Sequence, residues 1–264
     1  MAGRVLIIAG SDSGGGAGIQ ADIKAVSALD GYAATAITAL TAQNTQGVHG
    51  VHPVPVDFID QQINVVMSDI GADCIKTGML HDAEVIETVT RALKRDAAGI
   101  PLVADPVMVA KGGARLLVED AVAALIGCLV PMATVLTPNI PEAEALTGIE
   151  ASDEAALQAI GEDLLAKGAK AVLLKGGHLD GPMIQDRLFT GDGVKIFENP
   201  RIDTAHTHGT GCTLASSIAA GIAAGLSLAE AIGRAETYLH KAIAGAPGYG
   251  SGHGPVDHMH TVRR

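Results

Sequence analysis

The sequence predicts an α/β fold: a mostly parallel central sheet with helices on both faces. Two observations predict it. Short apolar runs, near-continuous rather than alternating, recur along the chain, and amphipathic stretches of helical period separate them. The chain has 264 residues, 48% of them hydrophobic and only 2% aromatic, with no Trp, so a sizeable core must be built from Ala, Val, Ile and Leu. In chain order, strands are expected at Val5–Ala9, Ala34–Leu40, Asp73–Thr77, Leu102–Ala104, Thr134–Leu136 and Ala171–Lys175. Helices are expected between them at Gly18–Leu29, Asp57–Asp69, Ala83–Ala98, Arg115–Leu129 and Glu154–Lys167. After Lys175 the pattern changes. Ile184–Phe189 and Val194–Phe197, separated by Thr190-Gly191-Asp192-Gly193, read as a hairpin. Two Ala-rich helices follow, Thr210–Ala224 and Leu228–Ala244, and the Gly- and His-rich tail from Gly248 reads as a loop or docked arm. No repeat or linker interrupts the pattern, so residues 1–264 are expected to form one domain.

Charge narrows the function. Acidic side chains number 29 against 18 basic ones, a net charge of −11, which disfavours nucleic acid and anionic membrane surfaces as partners. Aromatic poverty removes the ring platforms on which bases stack. Val5–Ala9 is too short for a signal-peptide core, and no stretch reads as a membrane span. Cys74, Cys128 and Cys212 lack CxxC spacing and suit a reducing cytoplasm. An anionic ligand would have to be held by local backbone amides and a few cations.

Known nucleotide devices fail on inspection. Gly14-Gly15-Gly16-Ala17-Gly18 follows a strand and opens a helix, but a dinucleotide fingerprint begun at Gly14 needs glycine where Ile19 stands. No Gly-Lys-Ser/Thr triplet exists for a phosphate loop of the Walker type. Paired histidines, His206/His208 and His258/His260, lack a third neighbour, so a closed zinc site is not expected.

The strongest local signal is Thr207-His208-Gly209-Thr210-Gly211-Cys212-Thr213, directly before an Ala-rich helix. Its glycines allow a tight turn that aims several N–H groups one way at a helix N-terminus, where the macrodipole adds positive potential. Such an arrangement can hold the charge of a phosphoryl group in transfer. The same field is expected to lower the pKa of the Cys212 thiol, making it a base for a substrate hydroxyl. A Gly-rich helix entry with a buried structural cysteine fits these residues equally well.

Gly209-Thr210-Gly211-Cys212 resembles the anion-hole motif of the ribokinase superfamily, whose usual fourth residue is aspartate. Cysteine there is similar to the hydroxymethylpyrimidine kinase/phosphomethylpyrimidine kinase family of thiamine synthesis. Further stretches match that family in order: the run from Ala9 to Asp22, Ala39–Thr45, Asp105–Met108, Thr137–Ala143, Lys175–His178 and Gly254–Val256. The resemblance covers nearly the whole chain. It implies a three-layer ribokinase-like fold, ATP as phosphoryl donor, Mg2+, a small-molecule alcohol as substrate and a homodimer.

Residue by residue, the resemblance implies Cys212 as catalytic base, with the amides of Gly209, Thr210, Gly211 and Cys212 as the anion hole. Asp22 and Gln43 would contact the pyrimidine's polar edge, since a carboxylate and an amide can satisfy an aminopyrimidine in pairs. Met79 and Val107 would line its pocket, though core packing fits them too. Asn139 and Glu142 belong to an Asn-x-x-Glu signature associated with magnesium and ATP phosphates, and Asp105 is a second metal candidate. The plainer reading is that Asn139 starts a helix and Glu142 favours its dipole. Lys175 is expected near the nucleotide phosphates, with Thr207 adding a hydroxyl. One departure stands out: Glu236 occupies a position where the family often carries lysine, and Lys241, about one turn later, is the candidate to compensate.

Pyridoxal kinase is the nearest rival, because superfamily members with similar motifs accept both hydroxymethyl heterocycles. A non-catalytic regulator that binds nucleotide or thiamine precursor is more remote, since it would be expected to lack Cys212 or the Asn139/Glu142 pair.

Overall fold

The computed structural model describes residues 2–109, 113, 116–118 and 121–263. Its strands are β1 (Arg4–Asp12), β2 (Tyr32–Asn44), β3 (Gly47–Pro53), β4 (Cys74–Thr77), β5 (Leu102–Ala104), β6 (Val135–Leu136), β7 (Ala171–Leu174), β8 (Met183–Thr190) and β9 (Gly193–Pro200). The helices are α1 (Gly18–Ala28), α2 (Val56–Asp69), α3 (Ala83–Asp96), α4 (Ala121–Ala124), α5 (Ile140–Thr147), α6 (Glu154–Ala166), α7 (Thr210–Ala223) and α8 (Leu228–Ala244). All nine strands form one sheet in the order β3-β2-β1-β4-β5-β6-β7-β8-β9. From β2 to β7 the pairings are parallel; β3 and the β8–β9 hairpin close the edges antiparallel.

Strand β1 shows why the apolar runs do not alternate. Leu6 and Ile8 pack on one face with Ile59 and Ile63 of α2, Ile86 and Val89 of α3, and Leu157, Ile160 and Leu164 of α6. Val5, Ile7 and Ala9 pack on the other with Leu214 and Ile218 of α7 and Ile232 of α8. A strand covered on both faces gains burial from every side chain. The result is the expected three-layer arrangement.

Three elements differ from the expected strands and helices, the first being α5, of which only the start at Asn139 is read from the sequence. The helix expected over Arg115–Leu129 is not a continuous one. Arg115 and residues 119 and 120 lie outside the described residues, and 116–118 are not helical. Helix α4 is a single turn that widens into a π-turn at Leu125–Leu129 and tightens into a 3₁₀ turn at Val130–Met132. Pro131 has no amide hydrogen to continue the ladder, and the uneven winding seats Leu125, Leu129 and Val130 in the core. Strand β3 was absent from the reading because Gly-Val-His-Gly-Val-His-Pro buries almost nothing and leaves no apolar pattern. The tail has no helix or strand, yet Val256, Asp257 and His258 are buried, so it is a docked arm.

Two helix-interior glycines should respond oppositely to alanine. A Cβ at Gly161 would sit 2.5 Å from the Phe189 ring, whereas at Gly233 the nearest atom is the Phe197 ring at 3.8 Å. Gly161→Ala should therefore lose about 1–3 kcal/mol despite better helix propensity, and Gly233→Ala should gain up to about 1 kcal/mol. Urea midpoints of the two variants check the signs.

Candidate active site

From β1 the chain moves outward to β2 and β3, then returns to place β4 on the other side of β1. Strand order reverses there, so the carboxyl ends of β1 and β4 splay apart and leave a crevice. A cleft of about 800 Å³ opens at this place, walled by Gly10–Asp12 at the end of β1, Gln43 at the end of β2, Met79 beyond β4, Asp105 and Val107 after β5, Asn139 and Glu142 after β6, and Lys175 after β7. Thr207 and Gly209–Cys212 close it from the start of α7.

Helix α7 enters through Gly209 in the left-handed region (φ 80°), with no side chain capping its end. A Cβ on Gly209 would collide with the carbonyl oxygen of Gly16. The first intrahelical bond runs from the Thr213 amide to the Gly209 carbonyl (2.9 Å), so the amides of Gly211 and Cys212 have no acceptor inside the helix. They front the cleft.

The first glycine loop has a different occupation. Asp12, at the end of β1, accepts from the amides of Gly14 (2.8 Å), Gly16 (3.0 Å) and Ala17 (2.8 Å). His208 Nε2 lies 2.8 Å from the same carboxylate and 3.4 Å from Gln43 Nε2. Burial works against the Asp12 charge, but His208 and these amides outweigh it and hold the carboxyl below its ordinary range. The loop amides therefore serve Asp12 and not a ligand. Asp12 stood inside a matched stretch and His208 beside the Gly209–Cys212 motif, but only contact across almost two hundred residues reveals them as a pair.

Lys175 Nζ pairs with Asp105 Oδ1 at 3.0 Å and lies 3.9 Å from Glu142 Oε2. Burial disfavours its ammonium, yet Asp105 and Glu142 more than compensate and raise its pKa. Asn139 and Glu142 form a reciprocal capping box on α5 (2.8 and 2.9 Å), so the plain helix-start reading holds and both residues still face the cleft. Burial pushes the Glu142 carboxyl up to about 7, Lys175 opposing and Asp105 reinforcing. Gln43 Oε1 accepts from the Thr41 hydroxyl at 3.1 Å.

A sequence profile of the phosphomethylpyrimidine kinase family matches residues 12–257. The hydroxymethylpyrimidine/phosphomethylpyrimidine kinase of Rhizobium meliloti is 49% identical over 98% of this chain and 98% of its own length. The chain belongs to the phosphomethylpyrimidine kinase family. It is a kinase with a ribokinase-like fold. The thiamine biosynthesis bifunctional protein of Geobacter sulfurreducens is 51% identical over 97% of this chain, which spans only 52% of that longer protein. Pyridoxal kinase of Staphylococcus aureus, solved with AMP-PCP and pyridoxal, superposes with a TM-score of 0.91 at 34% identity, covering 100% of this chain and 96% of that one.

Against the expectations drawn from phosphomethylpyrimidine kinase motifs, two corrections follow. Asp22 is not among the residues that line the cleft. Both its oxygens bind Lys76 Nζ at 2.9 Å, Oδ1 also accepts from Ser216 (2.6 Å), and neither Asp22 nor Lys76 has any exposed surface. The pair ties α1, β4 and α7 together beneath Cys212, so the structure places Asp22 in a buried ion pair behind the cleft. The Cys212 thiol is also not acidified: burial pushes it up to about 12, Lys76 opposing and Asp22 and Asp105 reinforcing. The departure at Glu236 leaves no cation behind, since Glu236 is buried and exposed Lys241 is outside the cleft.

Thiolate content can be read by alkylation. At pH 8, iodoacetamide should modify Cys212 at least tenfold more slowly than a free thiol of pKa near 8.5, and its rate should still be rising at pH 10. Mass spectrometry of the Cys212 peptide against pH checks this.

Proposed function

We propose that the chain transfers the terminal phosphoryl group of ATP to the hydroxymethyl oxygen of 4-amino-5-hydroxymethyl-2-methylpyrimidine, then a second phosphoryl group to the resulting monophosphate, for thiamine biosynthesis. The observation that carries this reading is the uncapped entry of α7. It presents two amides with no acceptor among the described residues, and the Cys212 sulfur, to one cleft, with Lys175 across from them. A Cβ on Gly211 would lie 3.3 Å from Lys175 Nζ, so cation and amides flank one position. That position suits the transferring phosphoryl group, whose charge is spread over its equatorial oxygens.

In the transfer, the alcohol oxygen bonds to the terminal phosphorus, the bond to the bridging oxygen of ADP breaks, and the hydroxyl proton leaves. Cys212 is the base that takes it, a role open to the thiolate alone; Lys76 favours that form and burial opposes it. Gln43 orients the pyrimidine with its amide, while Met79 and Val107 cover the ring. Thr207 and Asn139 meet the nucleotide.

Mg2+ fits the residues present. Asp105 gives Oδ1 to Lys175 and the Thr137 hydroxyl, with no partner on Oδ2 among the described residues, while the Glu142 carboxylate accepts from the backbone of Asn139 and Met108 and would turn a remaining lone pair to the ion. Two carboxylates suit a cation that draws its remaining ligands from phosphates and water. When bound, the ion would neutralise charge between the terminal phosphates.

The pyrimidine is preferred to pyridoxal because the related pyrimidine kinases reach 49% identity where the superposed pyridoxal kinase has 34%. The net charge of −11 supports a small-molecule substrate over nucleic acid. Three free cysteines support a cytoplasmic setting, and no described helix is long and apolar enough to cross a membrane. One sheet runs through the described residues, which supports a single domain over 1–264. We read the active species as a homodimer covering exposed apolar side chains such as Phe58 and Val65.

With Mg-ATP, mono- and then diphosphorylated pyrimidine are expected by mass spectrometry, and Cys212→Ala should lower kcat about 100-fold or more. Gln43→Leu should raise KM for the pyrimidine roughly tenfold and leave KM for ATP unchanged. Phosphorylated pyridoxal with no pyrimidine product would keep the cleft and overturn the substrate.

A further inference from the structure

The docked arm carries a group that the kinase reading does not use. His258 is buried, lies outside the cleft lining, and approaches α7 from the C-terminal tail. Its Nε2 is 2.9 Å from the hydroxyl of Thr213. That hydroxyl is 2.7 Å from the carbonyl oxygen of Gly209, the residue that opens the anion hole. A carbonyl oxygen can only accept, so the single hydroxyl proton of Thr213 belongs to the bond with Gly209. Thr213 is then an acceptor toward His258, and Nε2 must be the protonated nitrogen.

The relay is anchored at its far end. The Tyr238 hydroxyl of α8 donates to the His258 carbonyl at 2.6 Å. The same arm grips the other flank of the loop, where the His208 amide donates to the Gly254 carbonyl at 3.1 Å. Burial, with Lys24 next, pushes the His258 imidazole down to about 4 against the pull of Asp257, so the ring is neutral at pH 7 and its tautomer is set by Thr213.

The geometry points to His258 and Thr213 as positioning residues for the anion hole. The chain of bonds from Tyr238 through His258 and Thr213 fixes the Gly209 carbonyl. That carbonyl belongs to the peptide plane shared with Thr210, so its direction sets the aim of the amides that follow. The Gly209 carbonyl receives two donors, the Thr213 amide and the Thr213 hydroxyl, and His258 is what holds the second in place. Such control acts on the transition state more than on bound substrate, because the charge it serves develops during transfer. The inference rests on the kinase reading for its effect on rate, but the relay itself does not.

Two experiments test it. Imidazole 15N shifts of His258 at pH 7 are expected to show Nε2 protonated and Nδ1 bare; the opposite tautomer overturns the relay whatever the protein phosphorylates. In turnover, Thr213→Val and His258→Phe should each lower kcat about 10- to 100-fold with both KM values within about threefold of wild type. Thr213→Ser and His258→Gln, which restore a hydroxyl and a donor, should recover most of that loss. The double variant Thr213→Val/His258→Phe should be no slower than the slower single one, as expected for one chain of bonds. If His258→Phe fails to fold, Thr213→Val, equal in volume and internal to α7, decides alone. A folded Thr213→Val with kcat within twofold of wild type overturns the inference. An inactive wild-type protein would instead overturn the kinase reading and leave the tautomer measurement to judge the relay.

Discussion

The site depends on one close approach: the backbone of Gly209 against the carbonyl oxygen of Gly16, where no Cβ fits. A Cβ at Gly16 would in turn lie 2.5 Å from the His208 ring. Glycine is required at 209 for its positive φ as well, so conformation and contact select the same residue. With the loops this close, Asp12 can gather three amides of the first loop and His208 of the second, and α7 begins with nothing but backbone at its tip. A capping Ser or Asp would fill the space and occupy the amides that a phosphoryl group needs. The absence of a cap costs some helix stability, and it is what leaves the donors open.

Charge bookkeeping explains how an acidic protein holds a polyanion and why the Cys212 expectation failed. Among the described residues, Lys76 is matched by Asp22 and Lys175 by Asp105 and Glu142. Oriented amides, and cations that arrive with the nucleotide, then add to the attraction for phosphate. The same comparison governs the thiol. A helix N-terminus contributes at most about 1–2 kcal/mol, roughly one pKa unit, whereas removal from water can shift a group by up to about 3–5 units. Burial wins at Cys212, with Asp22 and Asp105 on its side. The sequence reveals the helix start but not the depth at which the sulfur lies.

That asymmetry runs through the whole chain. Strands and helices that bury apolar side chains were legible, because period and length report burial directly. Strand β3 was not, since its pairing is made by backbone and its side chains face solvent. Of the site residues drawn from motifs, all but Asp22 line the cleft; Asp22 lies behind it because a helix position cannot tell whether a carboxylate faces the cleft or a lysine from another strand. Asp12 with His208, and Thr213 with His258, were invisible for the same reason. Their partners are brought together by the fold and share no spacing. Asn139 and Glu142 show the opposite case, in which the ordinary reading and the functional one describe the same two side chains.

Glu236 extends this reasoning to the position where the resemblance led to an expectation of lysine. It is buried beside Asp186, whose Oδ1 accepts from the Gly176 amide at 2.8 Å, just past Lys175. Two buried carboxylates cannot both be ionised at contact, and burial together with Asp186 pushes Glu236 up to about 9. At neutral pH Glu236 keeps its proton and donates it to Asp186, while its Oε2 accepts from Asn199 at 2.9 Å. A lysine there would satisfy Asp186 with an ammonium; glutamic acid satisfies it with a proton. Either way the turn carrying Lys175 stays supported from behind, so the substitution replaces the means of support and leaves the cleft itself unchanged.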